Sequence, residues 1–296
     1  MTYSRSVLLI LILAATLGGC TSLKKINDYA NTSRSSLQNY EHLSCSFTQA
    51  FTDRLRQQEF GNYFSVTKLE LDSTRPLRGS HITLTQARAI DSAMTVIYHV
   101  IAGYFDGLAR LSADSLTAYS IDTVTNTLAG GALIDTTVIS PAAIGAYGAI
   151  VRDITMAVTN EYRARHLATY LAEADTPIHI LLDKFGRNLR YSLYSLLESQ
   201  RQIYRDEIYP DMLSKAAAGF EKKQVIDDYQ RQIDGINEKE RLIDTYTQGL
   251  QKIAEGHRYL ATHVHQMKEK DVKAALSGYA STIKDLYSNF IIIKNH

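Results

Sequence analysis

The chain has no tryptophan, only two cysteines and four prolines in 296 residues. Two cysteines exclude a small scaffold knitted by disulfides. Four prolines and 16 glycines are too few for a fold of many short strands and turns, and they favour long helices. Neither sign of charge is in excess: 32 Lys and Arg stand against 31 Asp and Glu, which excludes a nucleic-acid binder built on bulk basic charge. A 45% hydrophobic and 21% charged composition also excludes wholesale disorder. No Gly-rich phosphate loop, no Gly-x-Ser-x-Gly elbow and no Cys/His nucleophile pair occurs. No catalytic residue, cofactor or metal ligand is therefore assigned, and the mature domain is expected not to be an enzyme.

The clearest positive signal lies at the N-terminus, MTYSRSVLLILILAATLGGC. Arg5 supplies a positive start, Val7–Leu13 an unbroken apolar run, and Ala14, Ala15, Gly18 and Gly19 small residues ahead of Cys20. This is the layout of a secretory signal, too short for a stable transmembrane helix. The ending Leu17-Gly18-Gly19-Cys20 resembles the lipobox of bacterial lipoproteins. The resemblance covers only these twenty residues. It implies cleavage before Cys20, removal of residues 1–19 as a signal peptide, and acylation (palmitate and related chains) of Cys20. Each buried CH₂ contributes about 0.8 kcal/mol, so two or more chains hold a soluble domain at a bilayer. Thr21 follows the cysteine where an Asp would resemble the inner-membrane class. The expected address is thus the outer membrane, with the domain facing the periplasm. Without Arg5 the mature chain carries 31 basic and 31 acidic residues, which argues against recruitment by anionic lipid charge.

Residues 20–296 read as one all-α domain, an elongated helical bundle with long coiled-coil-like helices. Leu23, Ile26, Ala30, Leu37, Tyr40, Phe47, Phe51 and Leu55, with Ser33 and Ser44 filling two places, predict one helix from 23 to about 60, stopped by Gly61. Thr83-x-x-Gln86 is a capping-box pattern opening a helix through Ile90, Met94, Ile97, Ile101, Tyr104 or Phe105, Leu108 and Leu111. A further helical stretch carries Leu116 and Tyr119. Ser140-Pro141 reads as a helix start, and so does Thr176-Pro177. Pro210 should kink or end the helix that follows Thr176, with Gly219 as a C-terminal break. The strongest seam runs Ile226, Tyr229, Ile233, Ile236, Glu240, Ile243, Thr247, Leu250, Ala254, His257, Ala261, Val264. After a phase slip at residues 268–271 a second seam carries Val272, Leu276, Tyr279, Ile283, Leu286, Phe290 and Ile293. Asp271 as N-cap favours a hairpin turn at the slip. Six to seven helices are expected, several above 30 residues.

Three features carry chemistry worth weighing. His257, His263 and His265 lack the i,i+4 spacing of a helical zinc pair and read as structural or solvated. Glu240 on a seam needs a partner, which an interhelical ion pair supplies. Cys45 reads as a small buried apolar residue, with an intermolecular disulfide as the sharper reading. The uncharged stretch Thr136–Val151, within an apolar small-residue segment spanning 128–151, reads as a tightly packed central helix. Its place between long helices is loosely similar to α-helical pore-forming toxins of the haemolysin E kind, which implies a membrane-active alternative. The favoured expectation is a lipid-anchored, periplasm-facing envelope lipoprotein whose helical domain binds or scaffolds a partner protein. Its membrane contact is through the anchor, nucleic acid is not a partner, and self-association stays open.

Overall fold

The computed structural model describes residues 23–63, 76–77, 82–113 and 163–295. The expected signal peptide, Cys20, the Leu116–Tyr119 stretch, the Ser140-Pro141 helix start and the segment 128–151 all lie outside the described residues. The described residues form an all-α bundle without a strand. The helices are α1 (23–37), α2 (Phe47–Tyr63), α3 (Leu84–Leu111), α4 (Arg163–Arg187), α5 (Tyr194–Ile203), α6 (Tyr209–Lys215), α7 (Gly219–His263) and α8 (Lys270–Lys294). No helix of the described residues is long and apolar enough to cross a membrane.

The expected helix 23–60 is two helices. After a 3₁₀ turn at Gln38–His42 the backbone of Leu43 becomes extended, and α2 starts afresh at Phe47. The restart is capped from two sides. The Ser46 hydroxyl accepts from the Gln49 amide at 3.1 Å, and the Asp91 carboxylate of α3 accepts from the Phe47 and Thr48 amides at 2.8 Å each. A carboxylate on the first free amides of a helix satisfies orphan donors and the helix dipole together. The break turns Ser44 out to solvent, while Phe47, Phe51 and Leu55 stay buried, and Gly61 lies within α2 rather than ending it. Cys45 is buried in the break, where burial pushes its thiol up to about 11.

The capping box at α3 forms as its pattern predicts: Gln86 amide to Thr83 hydroxyl at 3.3 Å, Thr83 amide to Gln86 Oε1 at 2.9 Å. The stripe Met94, Ile97, Ile101, Tyr104, Phe105, Leu108 and Leu111 is buried.

Residues 163–215 make one continuous rod, α4 to α6, joined by π-helical turns at Asn188–Leu193 and Tyr204–Ile208. Thr176-Pro177 does not start a helix; Pro177 sits inside α4. Proline removes one helical bond, and the fully buried Ala174, Ile178 and Leu181 around it hold the helix through the gap. Nor does Pro210 end the rod; it lies in the first turn of α6, directly after the π-helical turn Tyr204–Ile208. The rod stops one turn before Gly219, and Gly219 begins α7. Leu181, Phe185, Leu189, Leu193 and Leu197 are all buried at a constant spacing of four. An ordinary helix would rotate such a series steadily off its face, and one wide turn absorbs most of that drift.

α7 is 45 residues long and packs antiparallel to α8 across a turn at 264–269. The hairpin is as expected, but the cap is Glu269, with Asp271 in the first turn. Among the described helices α7 alone exceeds 30 residues as a regular α-helix. From Ile236 onward the seam is buried at Ile236, Glu240, Ile243, Thr247, Leu250 and His257 and half-buried at Ala254, Ala261 and Val264, widened by Leu242, Tyr246, Ile253 and Leu260; before it, Ile226 is exposed and Ile233 half-buried.

α1 runs antiparallel to the last half of α7: the Tyr246 hydroxyl donates to the Leu37 carbonyl at 3.1 Å, and the Tyr29 hydroxyl to the Ile253 carbonyl at 2.5 Å. Tyr29 is fully buried against Gly256, where an added Cβ would stand 2.6 Å from the ring. Gly256→Ala is therefore expected to cost about 2 kcal/mol or more by forcing α1 away from α7, against the small gain in helix propensity. Chemical denaturation checks this, and an unchanged or raised stability would contradict it. The same contacts put the first residues of α1 beside the C-terminal end of α7. The α6–α7 hairpin stands at its other end, roughly 50 Å away at 1.5 Å rise per residue.

Candidate histidine–carboxylate centre

Three helices bring polar groups together inside the bundle. α3 contributes Tyr104 from its apolar stripe, α4 contributes Tyr170, Asp175 and His179, and α7 contributes His257 and Arg258. Asp175 and His179 are one helical turn apart, so their side chains share a face. His257 is fully buried, with its ring edge-on to Tyr104 at 5.4 Å and Phe105 at 6.2 Å between centroids. Tyr104 stacks on Tyr170 at 5.0 Å, and the Tyr170 hydroxyl donates to the Tyr104 carbonyl at 3.2 Å.

The hydrogen bonds determine the tautomers. His257 Nδ1 lies 3.2 Å from Asp175 Oδ1, and a carboxylate oxygen accepts, so Nδ1 carries the proton. Nε2 is then the acceptor for the Tyr104 hydroxyl at 2.6 Å. His179 Nδ1 donates to the Asp175 carbonyl at 2.8 Å and also lies 3.2 Å from Oδ1. Arg258 Nε stands 3.6 Å from Asp175 Oδ2. Burial pushes His257 below the usual imidazole range, against the pull of Asp175. The hydrogen bond from His257 holds the Asp175 carboxyl below the usual carboxylate range. The pair is thus a neutral imidazole beside an ionised carboxylate. Side-chain exposure of 24% for Asp175 and 18% for His179, against zero for His257, makes this a centre open to solvent on one side.

The three histidines weighed together in the sequence are not brought together. His263 stacks on Tyr259 at 4.2 Å and donates to the Tyr259 carbonyl at 2.9 Å, and His265 is exposed. Only His257 joins the centre, with two partners that sequence reasoning did not single out. The available signal was Asp175-x-x-x-His179, an i,i+4 acid–imidazole pair. Placing a helix boundary at Thr176-Pro177 separated its members. Glu240 is buried and pairs with Arg201 of α5, the interhelical ion pair its seam position called for. Among the other acids, Asp228 accepts from Tyr209 and Arg231, and Asp227 pairs with Lys223.

Comparison with protein-family models, curated proteins and solved structures finds no match for this chain.

Proposed function

We propose that this chain is an envelope lipoprotein, tethered through acylated Cys20 to the periplasmic face of the outer membrane. Its helical bundle is a non-catalytic binding or scaffolding module. The observation that carries the reading is the polarity of the bundle. The chain emerging from Cys20 enters α1 beside the C-terminal end of α7, and the α6–α7 hairpin lies roughly 50 Å away along α7. That hairpin exposes Phe220 (72%), Ile226 (45%) and Leu213 (37%). The same end holds a small apolar cluster of Ile203, Ile208 and Tyr209, separate from the main core and packed against Met212, Val225 and Tyr229. Large apolar side chains gathered at the outer end of a tethered rod suit capture of a protein partner. Tethering then raises the effective concentration toward partners in the same plane.

Cys20→Ser tests the anchor. The variant is expected to move from the membrane fraction to the soluble periplasmic fraction, or to persist as an uncleaved precursor, and to lose incorporation of labelled palmitate. Unchanged fractionation without label in the wild type would refute the tether. For the tip, a photo-crosslinker at position 220 is expected to trap a discrete partner that one at exposed Ser281 or Lys284 on α8 does not trap.

A further inference from the structure

We propose that Asp175, His179 and His257 form a binding site for a divalent transition-metal ion of the zinc class. The three offer one ligand atom each, all within 4.8 Å of one another. Tetrahedral ligands about 2.1 Å from a metal stand about 3.4 Å apart. Asp175 Oδ1 already lies 3.2 Å from Nδ1 of both histidines. The two imidazoles are the wider pair. Rotation of His179, which is half-buried and hydrogen-bonded within its own helix, closes that gap. Two imidazoles and a carboxylate favour zinc, cobalt, nickel or iron over calcium and magnesium, which take all-oxygen sets.

The surroundings support a ligand site. A metal ion at His257 Nδ1 replaces the proton now held there, and that proton moves to Nε2. The Tyr104 hydroxyl, now a donor to Nε2 at 2.6 Å, turns to accept it. A second polar group on the far nitrogen of a ligating histidine fixes ring and tautomer. Arg258 neutralises Asp175 in the metal-free state, and at 61% exposure its side chain is free to withdraw into solvent. The exposed edges of Asp175 and His179 give the ion its way in, and a fourth position there is left to water.

The test uses the full chain in detergent, stripped with a chelator and titrated with Co²⁺ and then Zn²⁺. One Co²⁺ per chain is expected, with the visible bands of four- or five-coordinate cobalt, displaced by Zn²⁺. His179→Gln and Asp175→Asn are each expected to weaken binding by at least tenfold. Tyr104→Phe, which keeps packing and removes only the outer hydroxyl, should weaken it about tenfold. His263→Gln, on the same helix as His257, should leave it unchanged. Far-UV circular dichroism reports whether each variant folds, and the isosteric Tyr104→Phe keeps the site testable if another does not. Less than one Co²⁺ per chain, octahedral bands, or wild-type affinity in both the His179→Gln and Tyr104→Phe variants would overturn the assignment.

Discussion

Ile243→Asp is expected to unfold the bundle or bring it to the edge of unfolding. Ile243 is completely buried midway along α7, and the helix packs there against α4, α5 and α8. Removing the side chain from that site forfeits about 2–3 kcal/mol of apolar burial. The introduced carboxylate adds several kcal/mol more, because it is desolvated without a partner or must take up a proton. The sum exceeds the usual range of single substitutions and is comparable with a domain's whole stability, about 5–15 kcal/mol. Circular dichroism during urea unfolding reads this directly. A midpoint close to wild type would mean that position 243 faces water.

Arg201→Met is expected to cost about 3 kcal/mol, more than its half-exposed position suggests. The guanidinium donates to Glu240, to Asn237 Oδ1 at 2.6 Å and to Glu198 at 2.9 Å. Glu240 is buried, and its second carboxylate oxygen has no hydrogen-bond partner among the described residues. Removing the arginine therefore strands a charge whose other oxygen is already unsatisfied. The double change Arg201→Met with Glu240→Leu should recover most of the loss, since a well-packed apolar pair often equals a buried ion pair. A double-mutant cycle by urea denaturation checks both parts. Equal losses that simply add would show that the two groups do not depend on each other.

Much of the fold was legible because the longest helices obey one rule over many turns. α3 has a cap pattern and an unbroken stripe, and both appear in the structure. The α7–α8 hairpin shows as two seams with a phase slip. What the pattern hid were places where a distant residue decides. The restart at Phe47 depends on Asp91, 44 positions away, though Ser46-x-x-Gln49 marked the spot locally. Pro177 read as a beginning because local rules place proline at helix starts, whereas packing on both sides overrides them here. The histidine–carboxylate centre needed α3, α4 and α7 assembled. Its only local trace was the spacing of Asp175 and His179. The proposed anchor motif, Leu17-Gly18-Gly19-Cys20, is of another kind, a linear pattern to which a folded arrangement adds little.

The two wide turns in the α4–α6 rod govern where the gene tolerates small insertions and deletions. Surface loops usually absorb a lost codon. Losing one within 188–193 would let the wide turn close to ordinary pitch and leave Leu197 and Gln200 on their present face, whereas losing one from the regular turns of 178–187 would swing them about 100° around the axis. Gln200 now donates to the Ala50 carbonyl at 2.9 Å, and Gln57 to the Gln200 carbonyl at 3.3 Å. A codon lost from the regular turns would turn that grip on α2 toward empty water, with every amino acid downstream still correctly spelled.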